Sequence, residues 1–478
     1  NILGYLLGGA SESESASSRS SDVVTSRDST PTVSFRFEDA GCPKRLLFAV
    51  KIVEYADESF VNVLSGLRVR SSEAHCSTPQ HKGTQVTRMS GSSDQCTIYR
   101  TDGNLADASR NRSTQPGVVL MGGGADVEEA FLWMLCRSDG GHFVVLGASG
   151  EDGYNDWIME LSRRHHERAP VISGVTTIIC HQREASELPN VLDILSDASC
   201  IFLKGGDQSL YIDYWRNTPV QRVLQEKLLR VPVGGTSAGL AVLGGYSFTA
   251  KNDTISSAEA LKNPYDHRVV LLGLRESNEL HYPTTTGHKG GPGGAGVPND
   301  LPFLSIPFLD NVLTDSHFCS RDRMGRLITF LCRLRKSDEE EMAVVVPEGR
   351  NSQEERRRRE QRRRHLGVGV DDSTALILDV ATGDARVVGS SSVNLVRLAS
   401  HDSSCRCEMN EPLTCMNVEC LQLGPGDEYM FRGRRGNDDG AKEEEKVWRD
   451  RSIKLHVVEG KLRVVEGDYR KMGEDGVA

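Results

Sequence analysis

The chain has 478 residues, enough to bury a sizeable core in one large α/β domain with insertions or in two to three domains. A formal net charge of −10 argues against a nucleic-acid partner, because phosphate contacts call for a basic face, and aromatics make up only 6% of the chain. No run approaches about 18 consecutive apolar residues, so no membrane span is expected.

The apolar stretch ILGYLLGGA at residues 2–10 reads either as the tail of a clipped signal sequence or as a fragment end. Glycosylation sequons at Asn111 and Asn252 would matter only in a secreted protein, so the compartment stays open between cytoplasm, plastid and secretion. Residues 10–33 are rich in Ser, Asp, Glu and Thr and hold too little apolar surface to offset the entropy of ordering. Together with the apolar patch RLLFAVKIVEY and the polar stretch after it, they make residues 1–115 an N-terminal extension, expected to be partly disordered.

Regular structure is predicted from Gly117 onward. GVVLM (117–121) and FVVLGA (143–148) are short apolar runs closed by glycine, as buried parallel strands tend to be. Between them Val127, Ala130, Phe131, Met134 and Leu135 form one stripe of an amphipathic helix, which completes a βαβ unit. VTTIIC (175–180), CIFL (200–203) and VPV (231–233) continue the alternation, with a helical stretch at 220–229. This pattern predicts an α/β fold: an open, mainly parallel sheet with helices on both faces. A Gly/Pro-rich loop at about 280–300 and an acidic-then-basic stretch at 337–366 read as insertions, the charged one as solvated helix or disorder. Beyond them GVGVDDSTALILDV and KLHVVEGKLRVVEG read as strands and hairpins that extend or cover the sheet, leaving 433–478 as a charged C-terminal segment with a β-hairpin. The 12 cysteines are scattered except for Cys405, Cys407, Cys415 and Cys420, whose spacing fits no zinc pattern.

The chemistry concentrates at VGGTSAG (233–239). In the arrangement Gly235 to Gly239 a strand ends in a turn so sharp that only glycine fits beside it, which exposes the hydroxyl of Ser237 at the start of a helix. Taken alone the five-residue pattern is more often an ordinary glycine turn, but here a strand precedes it and LAVLGG follows. A serine needs a base, and His317 in NVLTDSHFCSRDRMGRL is the best candidate, with Arg321, Arg323 and Arg326 close behind it. A lone histidine is commonly a bystander and three arginines commonly a solvated face. Together they suit a site that holds a carboxylate beside a scissile bond. The turn LKGGDQS (203–209) offers backbone amides for an oxyanion hole and Gln208 to reach substrate.

These residues resemble the cyanophycinase and aspartyl dipeptidase group of serine peptidases, which have a class I glutamine amidotransferase-like fold. The resemblance rests on KGGDQ (204–208), GGTSAG (234–239), NPYD (263–266), TDSHFCSRDRMGRL (314–327), GVGVDDSTAL (367–376) and LGPGDEY (423–429), in that order, and covers residues 116–432. It implies Ser237 as nucleophile and His317 as base. Gln208, Asp315, Arg321, Arg323 and Arg326 match positions lining the substrate pocket, beside Ser316, where the family usually has glutamine. That departure weakens the case for cyanophycin itself as substrate. Glu259 is chosen as the third, orienting carboxylate, with Asp253 second, and the amides of Ala238 and Gly206 as the oxyanion hole. The resemblance implies hydrolysis of aspartyl, in particular β-aspartyl, peptides through an acyl-enzyme, with a peptide or dipeptide as partner and no metal or organic cofactor. A homodimer is one state consistent with it. An α/β-hydrolase esterase and a pseudo-enzyme that keeps the fold for binding remain the alternatives.

Overall fold

The computed structural model describes residues 32–35, 48–51, 85–87, 95–103, 112–274, 301–345, 365–399, 405–431 and 438–467. The chain divides into two units, residues 1–81 and 82–478. In the first, β1 (Thr32–Phe35) and β2 (Phe48–Lys51) pair antiparallel.

The second unit opens with β3 (Gln85–Thr87) and β4 (Cys96–Asp102), followed by β5 (Gly117–Met121), α1 (Glu128–Arg137), β6 (His142–Gly147), α2 (Asn155–Arg164) and β7 (Gly174–Cys180). Next come α3 (Pro189–Asp197), β8 (Cys200–Leu203), α4 (Gln208–Trp215), α5 (Pro219–Lys227), β9 (Pro232–Thr236) and α6 (Ala238–Ala241). Strands β5, β9, β8, β6 and β7 lie side by side and run parallel. This is the predicted open α/β core, and it exists because strands such as GVVLM and CIFL are apolar and buried along their whole length. Alternate residues feed two separate cores. Val118, Leu120, Val144 and Leu146 pack with α3, α4 and α5, whereas Val119, Met121, Phe143 and Val145 pack with α1 and α2. The predicted stripe Ala130, Phe131, Met134 and Leu135 is the buried face of α1.

Antiparallel strands extend this core at both edges. On one side β4 pairs with β7 from Cys96 to Asp102 and carries β3 outside it, so the sheet takes a strand from the stretch read as an N-terminal extension. At its start buried Cys96 and Ile98 alternate with the more open Thr97 and Tyr99, the pattern of a strand with one covered face. After the short pair β10 (Ser247–Phe248) and β11 (Leu271–Leu272), with α7 (Ser257–Lys262) between them, come β12 (Val312–Asp315), α8 (Met324–Val345), β13 (Leu366–Val370), β14 (Thr374–Leu378), β15 (Asp384–Gly389), β16 (Val393–Leu398), β17 (Cys415–Leu423) and β18 (Glu428–Met430). The chain closes with α9 (Asp438–Arg451), β19 (Ile453–Val458) and β20 (Lys461–Glu466).

Strands β14, β15 and β18 add to the other edge of the ten-stranded sheet, beside β5. The remaining late strands form a second sheet, in the order β12-β13-β16-β17-β19-β20, in which β12 and β13 run parallel and the other neighbouring pairs antiparallel. The predicted C-terminal hairpin is β19 with β20. The Gly/Pro-rich insertion (280–300) lies outside the described residues. Of the charged one, residues 337–345 continue α8 and 346–364 lie outside. Among the described residues no helix is long and apolar enough to cross a membrane.

Candidate active site

Strand β9 runs out in Gly234, Gly235 and Thr236, and Ser237 follows as the residue before α6 with φ 53° and ψ −111°. That backbone conformation is strained for a residue with a side chain and persists only where the surroundings dictate it. Here they do. A Cβ on Gly235 would lie 2.5 Å from the Gly239 carbonyl, and one on Gly239 would lie 2.1 Å from the carbonyl oxygen of Leu203 in β8. The two glycines let the turn fold back on itself and on the neighbouring strand, which leaves the serine at the carboxyl edge of the sheet.

Two further side chains arrive at that edge from the second sheet. β12 and β13 are parallel with Asp315 opposite Gly369, so both end at the same level. His317 lies two residues past the first and Asp372 two past the second. Ser237 Oγ is 2.8 Å from His317 Nε2, and His317 Nδ1 is 2.5 Å from Asp372 Oδ1. The end of β5 holds all three segments. The carbonyl of Met121 accepts from Ser237 N at 3.1 Å, that of Gly122 from His317 N at 2.8 Å, and that of Gly123 from Ser373 N at 2.7 Å. Gly123 itself, at φ 113°, faces the imidazole so closely that a Cβ would lie 2.3 Å from His317 Cε1. Asp371, buried beside Asp372, accepts from Cys319 N and from the hydroxyls of Ser391 and Ser392, which ties the histidine loop to the second sheet.

The His317 imidazole is half-buried and sits below the usual histidine range. Burial lowers it, the Arg321 charge lowers it further, and Asp372 offsets these only in part. A base that is neutral at neutral pH can accept the serine proton.

The carboxylate chosen from sequence lies elsewhere. Glu259 is the third residue of a capping box at the start of α7: its carboxylate accepts from Ser256 N and Oγ and pairs with Arg268. Those hydrogen bonds, from the Ser256 hydroxyl first, then its amide and Arg268, hold it down to about 2. Asp253 accepts from Thr254 N. Neither reaches His317. Proximity in sequence to the serine favoured both, whereas the signal that would have found Asp372 is its place at the end of GVGV, a strand parallel to the one that delivers the histidine.

The basic cluster also divides. Arg326 grips Asp315 with two nitrogens, Nε at 2.8 Å and Nη2 at 2.6 Å, while Arg323 Nη1 reaches Asp315 at 3.1 Å and the Ser316 carbonyl at 2.7 Å. All four residues are buried. Burial raises the Asp315 carboxyl, but the charges of Arg326 and Arg323 outweigh it and leave the group below its usual range. Expected to line a substrate pocket, Asp315, Ser316, Arg323 and Arg326 instead tie the end of β12 to the start of α8, because a buried carboxylate needs paired guanidinium donors. Only Arg321 of the three arginines is exposed.

The KGGD turn lies alongside the serine: a Cβ on Gly205 would be 3.6 Å from Ser237 Cβ. The Tyr211 hydroxyl is within hydrogen-bonding distance of the Lys204 and Gly205 carbonyls, at 2.7 and 3.1 Å. In a trans peptide N–H and C=O point in opposite directions, so the Gly206 amide faces away from Tyr211. Ala238 is buried as the first residue of α6. Gln208 opens α4 behind an Asp207 cap, its side-chain amide 3.4 Å from the Phe248 carbonyl.

No family model matches the chain. Among curated proteins it is 25% identical over 337 residues, 69% of this chain and 83% of the relative, to a cyanophycinase of Synechococcus elongatus. It is likewise 25% identical over 257 residues, 53% of this chain and 64% of the relative, to a cyanophycinase of Trichormus variabilis. A solved structure of a peptidase from an acI-B1 Actinobacterium aligns with a TM-score of 0.35 at 17% identity, over 67% of this chain and 98% of that one.

Proposed function

We propose that this chain, 25% identical to cyanophycinases, is a serine-type peptidase that hydrolyses aspartyl peptide bonds, β-linked ones in particular, through an acyl-enzyme. The observation that carries the reading is the unbroken contact from Ser237 Oγ through the His317 ring to Asp372. In the reaction His317 Nε2 takes the Ser237 proton as Oγ attacks the scissile carbonyl, and Asp372 holds the other ring nitrogen and stabilises the imidazolium. The amides of Ala238 and Gly206 receive the oxyanion. His317 returns the proton to the leaving amine. Water, deprotonated by the same ring, then releases the acyl group and restores the serine. Arg321, near the histidine and open to solvent, is the group that would hold the substrate carboxylate, with Gln208 on the KGGDQ turn as a second polar contact.

The test is hydrolysis of cyanophycin, β-aspartyl dipeptides, α-aspartyl dipeptides and simple esters by the full chain and three variants. Ser237→Ala is expected to lose at least roughly 10³-fold in turnover, and Asp372→Asn about as much, since an asparagine there favours the wrong imidazole tautomer. Glu259→Gln should turn over near the wild-type rate. Normal turnover by folded Ser237→Ala would refute the mechanism, and preference for the esters would refute the substrate class.

A further inference from the structure

The second sheet gathers three thiols from separate places in the chain. Cys332 lies on α8, Cys415 opens β17, and Cys405 immediately precedes an isolated antiparallel bridge between Arg406 and Thr414. The Arg406 amide donates to the Thr414 carbonyl at 2.6 Å and the Thr414 amide to the Arg406 carbonyl at 3.1 Å. With 406 opposite 414, residues 405 and 415 are opposite each other, and side chains so placed share a face. Cys332 packs on that face in one apolar cluster with Leu331, Leu413, Cys415 and Val457. As a result the sulfurs of Cys332, Cys405 and Cys415 all lie within 4.8 Å of one another, Cys332 and Cys405 at 3.5 Å.

We propose that Cys332, Cys405 and Cys415 form a binding site for one soft d¹⁰ metal ion, copper(I) or zinc(II). Thiolates select these ions over hard cations, and sulfurs bonded to one ion at about 2.3 Å lie roughly 4 Å apart, close to the spacing found here. Three sulfurs complete a trigonal shell for copper(I). Zinc(II) would add water on the side where Cys405 is partly open to solvent, which is also the path of entry. Cys332 and Cys415 are 1% exposed, so their thiolates need a bound cation in place of water. Binding exchanges three thiol protons for the ion, with no change of oxidation state. Arg335, on the next turn of α8, places its charge within reach of Cys405 and Cys415 and offsets the excess negative charge. The spacing that matches no zinc pattern in sequence is explained by the fold, since one ligand comes from a helix far upstream. The ion would fasten α8 to the second sheet and has no part in the chemistry at Ser237.

The full chain, reduced with a phosphine and stripped with a chelator, is titrated separately with zinc(II) and with copper(I) against a colorimetric copper(I) chelator. The expected result is uptake of one equivalent of at least one of the two ions, thiolate-to-metal absorption in the ultraviolet for copper(I), and a Tm raised by a few degrees. Cys405→Ser and Cys415→Ser should each weaken binding by tenfold or more, whereas Cys136→Ser, at the exposed thiol on α1, should bind as the wild type. Cys405→Ser carries the test if the buried substitutions unfold the protein. Failure of the reduced wild type to bind either ion, or undiminished binding by Cys405→Ser, would overturn the proposal. So would a Cys332–Cys405 disulfide in the isolated protein with no ion taken up after its reduction.

Discussion

Arg321, Arg323 and Arg326 look alike in sequence and differ in what they touch. Two are spent on Asp315, and the third is exposed with its charge felt by His317. Because that charge helps to hold the imidazole below its usual range, its removal should raise the histidine pKa. The acid limb of kcat/KM then moves to higher pH in Arg321→Gln. Arg321→Lys keeps the charge and should leave the limb in place, but it loses the bidentate fork, so KM for an aspartyl peptide should rise by about tenfold, on the order of 1.4 kcal/mol. pH–rate profiles of both variants on one β-aspartyl dipeptide separate the two roles. A limb unmoved in Arg321→Gln would show that the charge does not act on the base, and an unchanged KM in Arg321→Lys would remove the carboxylate assignment. At this scale the sequence was readable where one residue carries its own signature. Ser237 stands between glycines that nothing else can replace, and His317 is the only histidine in its block. Asp372 stands 55 residues from His317, next to another aspartate of equal appearance, and only pairing of β12 with β13 tells them apart.

Among elements, the end of β5 has the most to do with the site, although it contributes no reacting group. Its carbonyls at Met121, Gly122 and Gly123 accept in turn from the serine, histidine and aspartate segments, so one strand end sets the relative height of three loops from two sheets. Gly123→Ala should therefore damage rate more than binding. The added methyl meets the imidazole at 2.3 Å and the backbone is at φ 113°, so His317 must shift away from Ser237. A displacement of that size at a reacting pair costs on the order of 10²-fold in kcat. KM should change little, since Arg321 and the KGGD turn are untouched. Steady-state kinetics with circular dichroism as the check on folding test this, and a kcat near wild type would mean that the loop absorbs the methyl without moving the ring. The parallel core around β5 was legible because each strand is a short apolar run closed by glycine. The second sheet was not, because GVGVDDSTALILDV reads as strands that extend or cover the one sheet, yet β13 pairs in a second sheet and β14 in the first. The two aspartates sit at that switch, and local pattern carries no information on which partner a strand will take.

At the level of the whole molecule, one half-buried histidine outside the site links stability to pH. His142, at the start of β6, is hydrogen-bonded to Thr176 at 2.7 Å and stands near Arg100 and Arg112. Burial first, and then those two charges, hold its pKa down to about 4, with Asp102 opposing them. Above about 6.5, the value expected in the unfolded chain, both states keep it neutral and it adds no pH dependence. As the pH falls from there the unfolded chain gains a proton that the folded protein refuses, so stability is lost progressively until the folded group titrates near 4. The full loss is roughly 3 kcal/mol at about 1.4 kcal/mol per pKa unit. His317 adds a loss of the same sign, since its pKa is lowered too. Carboxylates such as Asp315 and Asp379, held below their usual range, lose their contribution only as the pH drops past about 4, below this window. Tm measured from pH 7 to pH 4 should accordingly fall in the wild type and fall less steeply in His142→Gln, which keeps a partner for Thr176 without a titrating group. Parallel slopes for the two proteins across that interval would show that His142 is protonated alike in the folded and unfolded states, and the acid sensitivity would then belong to other groups.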